Sequence, residues 1–126
     1  VGAFCAAASE REAIAPWIAT LGAKAKEWEG LTREIGMRAA QNADEIGAAA
    51  VDYLMYSSYV TLAYFLAREV EVVTRHDFAG GAEFRDSKLA LTRFYFDRLL
   101  PRALTHAAGI RASVDSLTHG VEAALA

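Results

Sequence analysis

The run YLMYSSYVTLAYFLA, residues 53–67, places fifteen residues without a charge between Asp52 and Arg68. A membrane span needs roughly 18 or more apolar residues, and Ser57, Ser58 and Thr61 interrupt this one. No alternation marks it as a strand. The run therefore predicts a helix buried on most sides, the middle element of a bundle. Its small residues Ser57, Ser58, Ala63 and Ala67 would let neighbouring helices come close. The helix reads from Asp44 to about Val73, roughly 45 Å at 1.5 Å per residue. Asn42 with Glu45 three residues later offers its N-cap.

Two flanking helices complete the bundle. Ile14, Trp17, Leu21, Ala25, Trp28, Leu31 and Ile35 recur at three- and four-residue steps, with Lys24, Lys26, Glu27, Glu29 and Arg33 largely off that stripe. Upstream, Ser9 and Glu12 have the spacing of a capping box. Pro16 then either kinks a helix begun near Ser9 or opens a new one after a short helix over 2–14. Both alternatives stand at this point. RHDFAGGAEF, residues 75–84, reads as a loop, with turn chemistry at Asp77 and Gly80-Gly81 unable to sustain a helix. A third helix begins near Ala82 and buries Leu89, Thr92, Phe96, Leu99, Ala103, Ala107, Ile110 and Val114. Pro101 removes a backbone donor and crowds the carbonyl of Asp97, so a kink is expected there, with Phe96, Leu99 and Leu104 packed on the middle helix. A short helix after Asp115 is expected to fray. The fold class is all-α: an antiparallel up-and-down bundle of three long helices plus short terminal helices, one domain over residues 1–126.

Composition narrows the function classes. Apolar residues make up 54% and charged residues 23% of the 126, enough for a core and too many hydrophobes for disorder. The lone cysteine, Cys5, excludes an internal disulfide framework and fits a reducing, cytoplasmic setting. Nothing near it in sequence would lower its pKa, so it is not read as a nucleophile. The net charge of −3 divides into −5 over residues 1–84 and +2 over 85–126. That split suits packing or a docking face better than a nucleic-acid footprint. No nucleic-acid or membrane partner is expected. With no initiator methionine and no signal peptide, the sequence reads as an excised fragment.

Few side chains carry chemistry. His76, His106 and His119 lack the Glu-x-x-His spacing of di-iron bundles, and no two of them stand at i, i+4 ligand spacing, so no metal ligand is assigned and surface or helix-end positions are expected. Gly80-Gly81 lacks a phosphate-loop pattern. Arg93, Arg98 and Arg102 have the forked donors that bind phosphate, but Arg93 with Asp97, and Arg85 beside Asp86, read as a solvated or interdomain face. Phe94-Tyr95-Phe96 points in three directions on a helix, so at least one ring must leave the stripe to meet another helix or a partner.

KLALTRFYFDRLLPRALTHAAGIRASVDSL resembles the acetyl-CoA dehydrogenase C-terminal-like segment of bacterial acyl-CoA dehydrogenases similar to 3-methylmercaptopropionyl-CoA dehydrogenase. The likeness rests on Lys88, Phe94-Tyr95-Phe96, Arg98-Leu99-Leu100-Pro101, His106, Ile110 and Asp115-Ser116-Leu117. NADEIGAAAVDYLMYSSYVTLAYFLAR fits the preceding long helix, and the whole likeness covers roughly residues 15–118. It implies a parent flavoprotein in which a carboxylate takes the α proton of an acyl-CoA while FAD accepts the β hydride. That base commonly sits in a Glu-Gly-Thr stretch. Glu29-Gly30-Leu31-Thr32 departs from it by the inserted Leu31, so no catalytic role passes to Glu29. The resemblance implies that FAD and acyl-CoA belong to the parent, that no catalytic, cofactor or metal residue lies in this segment, and that its partners are the parent's catalytic domains and other subunits of a homo-oligomer. The alternative is a free-standing helical binding or regulatory module, without enzymatic activity, working through Arg93, Arg98 and Arg102.

Overall fold

The uncharged run lies within the longest helix of the structure. The computed structural model describes residues 1–125. Its α-helices are α1 (Gly2–Ala8), α2 (Ala15–Ala39), α3 (Asp44–Val73), α4 (Ala82–Phe94), α5 (Ala103–Arg111), α6 (Asp115–Thr118) and α7 (Val121–Leu125). Between α4 and α5 the chain stays helical but changes pitch, through a π turn at Tyr95–Leu99 and a 3-10 turn at Leu100–Arg102. Among the described residues there is no strand.

Helix α3 is the axis of the molecule, packed against α5, α2 and α4, while α1 lies on α2. Contacts fix the directions. Tyr56 of α3 meets Glu27 of α2, and Glu45 meets Arg38, so the two helices are antiparallel. Lys88 meets Glu69, Tyr95 meets Tyr59 and His106 meets Asp52, so the α4–α5 length again runs against α3. This is the up-and-down bundle that the periodicity predicts. Ile14, Leu21, Leu31, Tyr56, Val60, Leu100 and Ile110 are fully buried at its centre. Burial of each such side chain contributes about 1.5–3 kcal/mol.

The ends of the helices settle the open alternatives. Pro16 is the second residue of α2, behind Ile14 at the cap, so it opens that helix rather than kinking one. Helix α1 ends at Ala8, short of residue 14. No capping box forms at Ser9, which closes α1 instead, its hydroxyl donating to the Ala6 carbonyl at 2.9 Å. At α3, Asn42 Oδ1 accepts from the Asp44 amide at 3.1 Å, but Glu45 is drawn inward rather than completing a box. Gly81 has φ of 84° ahead of α4, a conformation other residues rarely adopt. A side chain at Gly80 would collide with the Phe78 ring, which stacks on Phe84.

Two expectations need correction. Helix α3 is not buried on most sides: Val51, Leu54, Leu62 and Phe65 are exposed opposite the core. Ala63 and Ala67 lie in the helix contacts, whereas Ser58 faces outward. The second correction concerns the packing around Pro101, where the helix departs from regular α geometry. The Leu100 amide reaches back five residues to the Tyr95 carbonyl, and Pro101 begins the 3-10 turn, where its missing donor costs little. The widened π turn and the tightened 3-10 turn offset one another. The buried stripe therefore resumes at Ala103, Ala107 and Ile110, while Tyr95 and Leu100 also turn inward. Leu104, expected against the middle helix, is 59% exposed. After Asp115 the chain forms two short helices where one was expected.

Candidate functional site

Lys24 and Glu27 do not stand clear of the α2 stripe; both are half-buried against α3. Glu27 Oε2 accepts from Lys24 Nζ at 2.8 Å and from the Tyr56 hydroxyl at 2.7 Å. Arg111 of α5 reaches Glu34 at 3.1 Å and Glu27 at 3.8 Å, joining three helices in one network. Burial pushes Glu27 up, but the bonds from Lys24 and Tyr56 and the charges of Lys24 and Arg111 outweigh it. Its carboxyl is held below the ordinary range. Burial and the Glu27 charge push Tyr56 up.

A second lock joins α3 to α5. His106 Nδ1 lies 2.8 Å from Asp52 Oδ1, and the imidazole stacks on Tyr59 at 5.7 Å between centroids. A carboxylate only accepts, so Nδ1 carries the proton. The Asp52 carboxylate sits in space that only Gly109 leaves open. A third lock closes the end of α5. Arg38 donates to the carbonyls of Ile110, Arg111 and Ala112, which have no acceptor role left within the helix. Glu45 is buried beside it, 3.4 Å from Arg38, and accepts from the Val114 amide at 3.2 Å.

The residues singled out from the sequence fall in separate places. His106 is not a surface histidine but the partner of Asp52, whereas His76 lies after α3 and His119 after α6. Among the described residues, no group of three potential ligands gathers to hold a metal. Burial pushes the Cys5 thiol up, away from the thiolate. Glu29 is solvated and paired with Arg33 at 2.9 Å. Arg93, Arg98 and Arg102 are exposed, and among the described residues none is in an ion pair. The expected Arg93–Asp97 pair does not form, because Asp97 lies in the widened turn. Arg85 does pair with Asp86, at 3.1 Å. Of the three rings at 94–96, Tyr95 and Phe96 are buried and Phe94, 55% exposed, is the one that leaves.

Two features escaped the sequence reading. One is the Asp52–His106 lock, whose members are fifty-four positions apart. The other is an exposed apolar surface. The Lys88–Glu69 pair sets Leu91 of α4 level with Phe65 of α3, and both are exposed, as are Leu62 and Phe94. A groove of about 500 Å3 opens between Phe65, Val72 and Phe84. Another, of about 450 Å3, lies between α2 and α3 along Ile35, Gly36, Ala39 and Ala50. No helix among the described residues is long and apolar enough to cross a membrane.

A family model described as acetyl-CoA dehydrogenase C-terminal like matches residues 1–119. The chain belongs to that family. The match extends the likeness from residue 15 back to the first residue, taking in α1 and the turn before α2. No curated protein and no solved structure matches the chain. The positions that carried the likeness hold the bundle of this family member together. Lys88 ties α4 to α3, Tyr95 and Pro101 shape the pitch change, His106 locks α5, and Ile110 is fully buried.

Proposed function

We propose that the chain is the C-terminal accessory domain of an FAD-dependent acyl-CoA dehydrogenase similar to 3-methylmercaptopropionyl-CoA dehydrogenase, serving packing or subunit contact in a cytoplasmic homo-oligomer. In the parent, bound FAD supplies the acceptor for the β hydride. The residues of this chain do not fit that chemistry. Glu29, the one echo of the family's base, is 72% exposed and neutralised by Arg33, whereas a base for a weakly acidic carbon needs a desolvated, unpaired carboxylate. No step of the reaction is assigned to a residue of the domain.

The observation that carries the reading is the division of its surface. Glu27, Tyr56, Asp52, His106, Arg38 and Glu45 are spent on locks between helices, while the outward sides of α3 and α4 present Leu62, Phe65, Leu91 and Phe94 to solvent. Contiguous apolar surface of this kind marks a site of association.

The test is expression of the complete reading frame that contains these residues. The expected product is yellow and reduces an artificial acceptor when an acyl-CoA is added, while the 126-residue chain alone retains neither FAD nor acyl-CoA after desalting. A colourless product without acyl-CoA-dependent reduction overturns the reading. It would favour the free-standing module, for which the exposed, unpaired Arg93, Arg98 and Arg102 are the binding candidates.

A further inference from the structure

The outward side of α3 is not merely apolar; it is patterned. Asp44 stands at one end and Arg68 at the other. Between them, exposed positions follow at alternating three- and four-residue steps: Gly47, Val51 and Leu54 before Tyr56, and Ser58, Thr61 and Phe65 after it. A solvated helix face carries charges, whereas this spacing without charge is the seam of two paired helices. The acidic residues of this stretch of α3 are turned elsewhere, Glu45 to Arg38 and Asp52 to His106.

Turned end for end about Tyr56, the seam matches itself. Asp44 comes opposite Arg68, Gly47 opposite Phe65, Val51 opposite Thr61, and Leu54 opposite Ser58. Phe65 meets Gly47 and Leu54 meets Ser58, large against small as knobs meet holes, Val51 and Thr61 match in size, and opposite charges meet at both ends. Among the described residues, neither Asp44 nor Arg68 is in an ion pair within the chain. Beside Gly47 runs the α2–α3 groove, and no atom lies within 4 Å of where a side chain at Gly47 or Gly36 would begin. That space accepts a ring.

We propose that α3 pairs antiparallel with α3 of a second copy of this chain across a two-fold axis near Tyr56, seating each Phe65 beside the other copy's Gly47. The proposal rests on the interaction role given above and names its partner. The competing occupant is the catalytic body of the parent, which would not require the seam to be complementary to itself. A two-fold contact does require it.

Sedimentation equilibrium and thiol cross-linking of the 126-residue chain test this, in a Cys5→Ala background. Val51→Cys and Thr61→Cys lie about 15 Å apart along one helix, too far for a disulfide within a chain. In the proposed pair each opposes the other across the axis. Mild oxidation is expected to give a covalent dimer from the double variant and none from either single variant. Gly47→Trp, pointing into open space in the single chain, is expected to weaken association about tenfold or more while the helical circular dichroism stays unchanged. A monomer at every concentration, single variants that cross-link as well as the double, or a Gly47→Trp protein that associates normally each overturns the proposal. So does loss of the cross-link in the complete reading-frame product, because the parent's body would then cover the seam. A cross-linked dimer in a colourless, inactive product leaves the pairing standing and sinks the dehydrogenase reading instead.

Discussion

The Asp52 carboxylate fills the space in which a side chain on Gly109 would stand, and from there it bonds His106 at 2.8 Å. An absent side chain on α5 thus positions a present one on α3.

Gly109→Ala tests that relationship. Alanine favours the helix by about 1 kcal/mol over glycine, but the methyl group would drive Asp52 from His106 and break a half-buried hydrogen bond, at about 1–3 kcal/mol. The variant is expected to melt at lower temperature. Gly36→Ala, whose new methyl meets nothing within 4 Å, is expected to gain up to about 1 kcal/mol. Thermal unfolding of the two variants would compare them directly, and a stabilised Gly109→Ala protein would remove the lock from the account.

Acid and alkali act on different groups. Glu27 is held below its ordinary value of 4.5, so its contribution is fully present above that pH and is lost as pH falls through its folded value. Glu27→Gln is expected to be less stable than the parent chain at pH 7 and to lose less on going to pH 3. Tyr95 moves the other way. Burial pushes it from 10.0 up to about 12, so its contribution is complete below pH 10 and lost as pH rises towards 12. Urea unfolding across pH would show both edges, with Tyr95→Phe reducing the alkaline one, to which Tyr56 also contributes.

Thr92 is fully buried in α4 and its hydroxyl has no partner among the described residues. Valine keeps the branched shape and removes the stranded polar group, which costs about 1–3 kcal/mol to leave unbonded. Thr92→Val is expected to raise the melting temperature. A lower value would mean that the hydroxyl is satisfied in solution.

Pro101 stands at the start of a turn, so alanine gains little helix propensity there, and it frees the unfolded chain by up to about 1 kcal/mol. It also removes the block that holds the 3-10 turn, with Leu100 and Tyr95 packed beside it. Pro101→Ala is expected to lower the melting temperature by a few degrees. An unchanged or higher midpoint would show that the pitch change holds without the proline.

The elements were legible where a single force set them. Asp44–Val73 and the start at Ala82 agree with the sequence reading because an uncharged run and a double glycine leave few alternatives. The start around Ser9 and Pro16 stayed open because one hydroxyl can close a helix or open one, and only the packing of α1 chooses. Leu104 was misplaced against the stripe itself, which runs through Ala103 and Ala107 and leaves Leu104 on the outer side. The locks were invisible for a simpler reason. Asp52 with His106, and Arg38 with the carbonyls at the end of α5, join residues that nothing in the local sequence connects. The seam on α3 was hidden by its own composition, since a helix apolar on two sides reads the same as one buried all round.

The change of pitch before α5 works as a pair of opposed dislocations. The first loosens the winding, the second tightens it, and the buried stripe continues beyond them at Ala103, Ala107 and Ile110. In a regular helix, neighbours project about 100° apart and share a core only where the buried face is wide, as Leu66 and Ala67 do on α3. Inside the loosened stretch, Tyr95 and Phe96 do, and the Tyr95 hydroxyl bonds the Tyr59 carbonyl of α3 at 2.9 Å. The loosened stretch turns two neighbouring rings inward at the point where this helix crosses the middle of α3.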